Sequence, residues 1–300
     1  MSLRRKLAIA TWSAPSEGNI YGKLTLDVTE AQRYIEHVRE TTGEKITVTH
    51  LVGKAAANAL EEEPSLNGRI LFRRFVPFDT IDLAFLVTIG EGADLAKVKV
   101  DDADEKSVAE IASELREHAR KLRKGKDETF EKSKGPLKMM PRFLLPGFLK
   151  FIGWLTSGLG LDLSSFGLEA FPFGSCIVTS VGMLGIDEGF VPPTPFARVP
   201  VYVLVGAIKE QPTVIDGELA VREMLTITAT VDHRFVDGYQ LGTLARAFRQ
   251  VFEDPWSLEG KSLEGKSLEG KSLEGKSLEG KAFEGTAEPD EAESQEKAGV

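Results

Sequence analysis

Between Met224 and Phe252 the hydrophobic period of the chain changes from that of a strand to that of a helix, with no break between the two. Met224 to Val231 alternates apolar residues with threonines and is heavily β-branched, which favours a strand. Leu241, Leu244, Ala245, Phe248, Val251 and Phe252 then recur at helical spacing, and Pro255 stands where a helix should stop. The junction reads Thr230-Val231-Asp232-His233-Arg234-Phe235-Val236-Asp237-Gly238. It sets His233 at a strand end, exposed in a crevice and not buried in the sheet. Imidazole is the side chain suited to taking and returning a proton near neutral pH, so His233 and Asp237 read as a base with its orienter. Asp237 could fix the local architecture through a cation or through backbone amides, and Gly238 lets the backbone turn tightly or a ligand approach. The same spacing also fits a surface ion pair. A metal site lacks a third ligand nearby, and a serine hydrolase would need a G-x-S-x-G turn that is absent.

His233, Asp237 and Gly238 match the His-x-x-x-Asp-Gly signature of the chloramphenicol acetyltransferase-like superfamily, and Asp232 to Gly238 resembles the catalytic domain of the 2-oxoacid dehydrogenase acyltransferases, the dihydrolipoyl acyltransferase components. Four further blocks resemble that family in the same order. Arg4 to Ala8 is similar to its opening helix, Leu24 to Ile35 to its first strand and following helix, and Ile46 to Ile70 to a buried helix leading to Pro, Leu and Asn. Thr179 to Asp187 is similar to its Ser-Asn-Leu-Gly turn. The likeness spans about residues 2 to 254. It implies an α/β fold, a two-layer sandwich with a mixed central sheet flanked by helices.

The resemblance also implies a reaction. A histidine at the position of His233 takes the proton of a thiol or hydroxyl, which attacks the thioester carbonyl of acyl-coenzyme A, and a hydroxyl from the Ser-Asn-Leu-Gly turn stabilises the oxyanion. Aligned on Gly182, that hydroxyl falls on Thr179, with Ser180 in the Asn place as second choice, since a one-residue shift would exchange their faces of the strand. Coenzyme A is expected as a substrate, with Gly238 and Lys124 as candidate contacts, and no metal. A chain of this size implies a homotrimer with His233 of one subunit facing Thr179 of the next. No lipoyl group is expected on the chain itself, so a dihydrolipoamide-like acceptor would sit on a separate carrier protein. Departures from the family pattern, Tyr21-Gly22 in place of a Pro-His pair and Ala96-Lys97-Val98 in place of Val-Pro-Val, keep a non-catalytic trimeric scaffold that displays a docking tail as the alternative.

Composition fits an enzyme of the cytoplasm. The chain has 300 residues, 42% hydrophobic, enough for a sizeable core, and its one cysteine rules out a disulfide framework. Cys176, followed by Ile177 and Val178, reads as a core residue and not as a nucleophile. A net charge of −9 argues against nucleic acid as a main partner. Met1 to Ala10 carries Arg4, Arg5 and Lys6 but only a brief apolar stretch, which does not make a signal peptide. Lys121, Arg123, Lys124 and Lys126 suit the C-terminal end of a helix over Ser107 to Lys124. His37, His50 and His118 read as solvent-facing or cap residues.

Two segments stand apart. From Ser257 the chain repeats Ser-Leu-Glu-Gly-Lys five times to Lys281 and then turns acidic. A period of five with glycine in every unit gives neither a helical stripe nor a strand alternation, so residues 255–300 read as a solvated, disordered tail on a catalytic domain of residues 1–254. A docking tail is the functional alternative. The second segment is an insertion at about 130–173. Its apolar core, Met139 to Gly160, is broken by Pro141, Arg142, Pro146 and Lys150, which argues against a membrane span. It can serve as a lid or acyl pocket, extend the core or the trimer contact, or lie in a membrane interface, where Trp154 and the flanking cations would make the chain peripheral to a membrane.

Overall fold

The β-branched run and the helix after it are built as expected, on a six-stranded sheet. The computed structural model describes residues 3–12, 18–89, 94–123, 140–215 and 217–259. Its strands are β1 (Asn19–Asp27), β2 (Gly68–Leu71), β3 (Arg74–Pro77), β4 (Leu83–Ile89), β5 (Asp94–Val100), β6 (Cys176–Ser180), β7 (Val201–Ile215) and β8 (Glu218–Asp232). The main sheet has the order β1-β8-β7-β6-β4-β5, and β2 pairs with β3 in a separate hairpin. Strand β6 runs parallel to β4 and β7 while the remaining pairs are antiparallel, so the sheet is mixed. The helices are α1 (Leu3–Thr11), α2 (Thr29–Thr42), α3 (Val48–Glu62), α4 (Val108–Arg123), α5 (Leu145–Gly153) and α6 (Gly238–Glu253). This is the α/β sandwich that the resemblance implies.

Alternation along the strands decides which face meets the helices. Leu83, Phe85, Cys176, Val178, Val201, Val203, Leu225, Ile227 and Val231 share one core with Ala31 and Ile35 of α2, Leu51 to Leu60 of α3, Ile111 of α4 and Phe248 of α6. Helix α3 is buried from Leu51 to Leu60 because Ala55, Ala56, Ala57 and Ala59 let it lie close on the sheet, and a Cβ at Gly53 would overlap the Phe85 ring. The intervening residues Ala84, Ile177 and Tyr202 point to the other face, where Ala197 and Val199 cover them.

The insertion packs on the body through several contacts, among them Lys97 Nζ to Glu169 Oε2 at 2.6 Å and the Phe171 ring against Phe78 and Arg69. Lys6 of α1 donates to the Met140 carbonyl at 2.6 Å, and a Cβ at Gly153 would overlap the backbone of Phe196. Phe143, Leu144 and Phe151 remain exposed. Among the described residues, no helix is long and apolar enough to cross a membrane. The packed body also runs five residues beyond Asp254: Leu258, in the first tail repeat, is 7% exposed and joins the main core. The repeats from residue 260 onward lie outside the described residues.

Candidate active site

His233 follows the last residue of β8, and its backbone N–H donates to the Gly18 carbonyl at 2.8 Å, tying it to the segment that enters β1. Its Nδ1 lies 2.6 Å from the Val236 carbonyl oxygen. A carbonyl only accepts, so Nδ1 carries the proton and Nε2 keeps its lone pair on an exposed ring. A free lone pair on a ring held in one tautomer is what a general base requires.

Asp237 has a different task from orienting that ring. It is the N-cap of α6: its Oδ1 accepts from Tyr239 N–H at 2.8 Å, while Gln240 Oε1 accepts from Asp237 N–H at 2.9 Å, a reciprocal capping box. Of the two partners open to it, it has the backbone amides, and the imidazole is oriented by Val236. Gly238 opens α6 without a positive φ, and a Cβ there would meet nothing within 4 Å. The backbone therefore does not need glycine for a turn at this position.

The loop is clamped by a pair that sequence reasoning passed over. Arg234 Nε donates to both carboxylate oxygens of Asp232, at 2.9 and 3.0 Å, and the backbone N–H of Arg234 donates to Asp232 Oδ1 at 3.0 Å. Asp232 is 8% exposed. The signal was available: an aspartate two residues before an arginine at a strand end is the spacing of an Asx turn. Beside this clamp lies a cleft of about 150 Å³, walled by Arg198, Val199, Tyr202 and Phe235.

Thr179 and Ser180 end β6 and are both half-buried. Alternation puts Thr179 on the face of Ile177 and Tyr202, and Ser180 on the helix side with Val178. Thr179 shares a row with Leu204 and Thr228. His233 lies five residues further along β8 from that row, and β8 is two strands from β6. The separation is about 16 Å along the strands and about 10 Å across them. One copy of the chain does not bring the two residues together. Close backbone packing fixes the turn after Ser180, since a Cβ at Gly182 would overlap the Gly206 carbonyl.

Lys124 lies outside the described residues. Cys176 is fully buried and its thiol is pushed upward by that burial, which makes it a core residue. Among the described residues, no three His, Cys, Asp or Glu side chains stand together as a metal site.

The family model of the 2-oxoacid dehydrogenases acyltransferase (catalytic domain) matches residues 11–136 and 165–259. The chain belongs to this acyltransferase family. The interval between the two matched stretches falls inside the apolar insertion. Among curated relatives, the probable dihydrolipoyllysine-residue succinyltransferase component of the mitochondrial 2-oxoglutarate dehydrogenase complex of Schizosaccharomyces pombe is 26% identical over 230 residues, 75% of this chain and 41% of the relative. The dihydrolipoyllysine-residue acetyltransferase component of the acetoin cleaving system of Bacillus subtilis is 28% identical over 221 residues, 73% and 44% of the two chains. This acyltransferase-family chain thus matches about two fifths of the length of such relatives. Among solved structures, a probable dihydrolipoamide acetyltransferase from Listeria monocytogenes superposes with a TM-score of 0.61 at 23% identity, covering 84% of this chain and 90% of that one. The truncated catalytic core of the 2-oxoacid dehydrogenase multienzyme complex from Thermoplasma acidophilum gives 0.57 at 20%, covering 85% and 96%. These likenesses place the fold.

Proposed function

We propose that the chain moves an acyl group between coenzyme A and the dihydrolipoyl thiol of a separate carrier protein, with His233 as general base. The observation that carries this reading is the 2.6 Å bond from Nδ1 to the Val236 carbonyl, which leaves Nε2 as an acceptor on an exposed ring. Nε2 takes the proton of the attacking thiol, the thiolate sulfur bonds to the thioester carbonyl carbon, and a tetrahedral oxyanion forms. The carbon–sulfur bond to coenzyme A then breaks, and the proton returns to the leaving thiolate. The hydroxyl of Thr179 is the oxyanion donor, with Ser180 turned to the helix side. Such a donor is worth about 3 kcal/mol in a water-excluded site.

The distance between Thr179 and His233 within one chain supports an active site shared between copies, and a homotrimer is the closed assembly we assign to it. In the related Azotobacter vinelandii enzyme, a serine, a histidine and an asparagine four positions after it were probed for their roles in catalysis. Asp237 stands at that spacing here as a helix cap. Gly238, where a Cβ would meet nothing within 4 Å, leaves room for coenzyme A to approach. Donor and carrier on this reading are water-soluble, and a cytoplasmic location goes with them. The test is formation of acyl-dihydrolipoamide from a panel of acyl-coenzyme A donors, separated chromatographically, for wild type and His233→Ala. The variant should lose about 10²- to 10⁴-fold in rate. Equal rates in the two proteins would remove His233 from the mechanism, and acceptor-independent release of coenzyme A would point to hydrolysis instead.

A further inference from the structure

Ser257, Leu258 and Glu259, the opening of the first Ser-Leu-Glu-Gly-Lys unit, are docked on the body. Pro255 starts a helical turn in which Leu258 N–H donates to the Pro255 carbonyl at 3.2 Å and Glu259 N–H to the Trp256 carbonyl at 3.1 Å. Ser257 Oγ closes the turn on the Asp254 carbonyl at 2.7 Å. The turn lays Trp256 and Glu259 on α2. Trp256 packs edge-on against Tyr34, ring centroids 5.5 Å apart, and tilted against His37 at 5.3 Å. Leu258 is buried in the core, and Glu259 Oε1 stands 3.7 Å from His37 Nε2. Burial, and after it the charge of Glu259, pushes the Tyr34 phenol up to about 12, in keeping with a carboxylate held close to that ring.

Four further units with the identical sequence follow, carrying Leu263, Leu268, Leu273 and Leu278, each the sole apolar residue of its unit. The Ser257-Leu258-Glu259 triplet, whose leucine is buried and whose glutamate reaches His37, is therefore present again every five residues. We infer that the surface holding this triplet is a receptor for the Ser-Leu-Glu unit, and that the second repeat of the same chain, Ser262 to Glu264, exchanges with the first upon it. A shift by one unit leaves Trp256 in place on Tyr34 and His37 and loops out five residues. The entropy of closing a loop rises slowly with length, and the glycine in each unit frees the backbone for it. A ligand tethered by so short a linker is present at an effective concentration near millimolar. The tail on this account is a set of interchangeable anchors, and exchange among them changes the length of chain beyond the anchor in steps of five residues.

The test uses full-length chains and a melting temperature. Leu258→Ser alone should lower it by no more than about 2 °C, because Leu263 takes the vacated place. Serine at all five repeat leucines should lower it by about 5 °C or more, the shift expected for losing a buried leucine in a body of this size. Serine at the four later leucines only should leave it unchanged. The inference fails if Leu258→Ser alone costs as much as the fivefold change, or if neither costs anything. A second measurement stands apart from stability: in the Leu258→Ser background, His37→Cys paired with Glu264→Cys should form a disulfide within one chain, at a rate comparable to His37→Cys paired with Glu259→Cys in the native background. Buried Cys176 does not compete for it. No disulfide, or one that joins two chains, would overturn exchange within the chain, the latter in favour of a second copy as the occupant.

Discussion

At the scale of single residues, the decisive contact is one that sequence does not display. Every residue has a carbonyl, and nothing about Val236 marks its own as the acceptor for His233 Nδ1. The histidine was legible because a strand end is where a side chain leaves the sheet, while its orienter became visible only when the loop had a shape. Asp237 was legible as a functional position yet its physical role is that of a cap. The two roles are separable by substitution. Asn caps a helix about as well as Asp does, so Asp237→Asn should keep stability within a few tenths of a kcal/mol, whereas Asp237→Ala should lose about 1 kcal/mol. Neither should approach the rate loss of His233→Ala if the imidazole is held by Val236. Urea unfolding midpoints beside initial rates of acyl-dihydrolipoamide formation check both halves. A rate for Asp237→Asn as low as that of His233→Ala would mean that the carboxylate acts on the chemistry directly. A matching prediction for Thr179→Val is a rate loss of about 10²-fold with the melting temperature little changed, the signature of a missing oxyanion donor.

Among the elements, α3 carries a titratable cap. Thr47 N–H donates to His50 Nδ1 at 3.0 Å, which puts an imidazole in the place a glutamate or glutamine takes in a capping box. Burial, and after it the charge of Arg39, pushes His50 down to about 4 from its ordinary 6.5. The folded chain thus resists a proton that the unfolded chain accepts. The contribution of this histidine is whole above pH 6.5 and is lost as pH falls through 6.5 towards 4. The slope approaches about 1.4 kcal/mol per pH unit, and the loss reaches about 3 kcal/mol in full. His50→Gln keeps an acceptor at the same helix position and has nothing to titrate. Its unfolding free energy should therefore fall less than that of wild type between pH 7 and 4.5, and parallel curves for the two proteins would count against His50 as the source. The helix itself was expected from the likeness of Ile46 to Ile70 to the family's buried helix, and its alanines let it lie close on the sheet. The anchor at Leu258 was not. One leucine among four polar or glycine residues has no apolar partner along its own segment, and its burial comes from the core it meets in the fold. Faces within β6 were half legible: alternation separates Thr179 from Ser180, but only the pairing with β4 and β7 tells which of them points away from the helices.

The whole molecule sets apart the two residues that the proposed reaction would use together. Thr179 ends β6 on one side of the sheet and His233 ends β8 on the other, because β8 runs antiparallel to β7 while β6 runs parallel to it. A chain of this topology cannot close that gap by side-chain motion, since about 16 Å along the strands exceeds the reach of a threonine and a histidine combined. Either the hydroxyl acts on nothing, or it acts on the substrate held by a neighbouring copy. Mixing experiments distinguish these. His233→Ala and Thr179→Val chains, each of low activity alone, should regain activity when unfolded together and refolded as mixed assemblies. With equal amounts and random assortment, a site takes its histidine from a Thr179→Val chain half of the time and its threonine from a His233→Ala chain half of the time. The recovery should therefore approach about one quarter of the wild-type rate per site. Refolding the two variants separately and then combining them should restore nothing if the assembly does not exchange subunits, and that control isolates the shared site from any additive residual rate. If the co-refolded mixture gives only the average of the two variants, His233 and Thr179 do not meet across an interface, and the oxyanion donor must then be sought near His233 on its own chain.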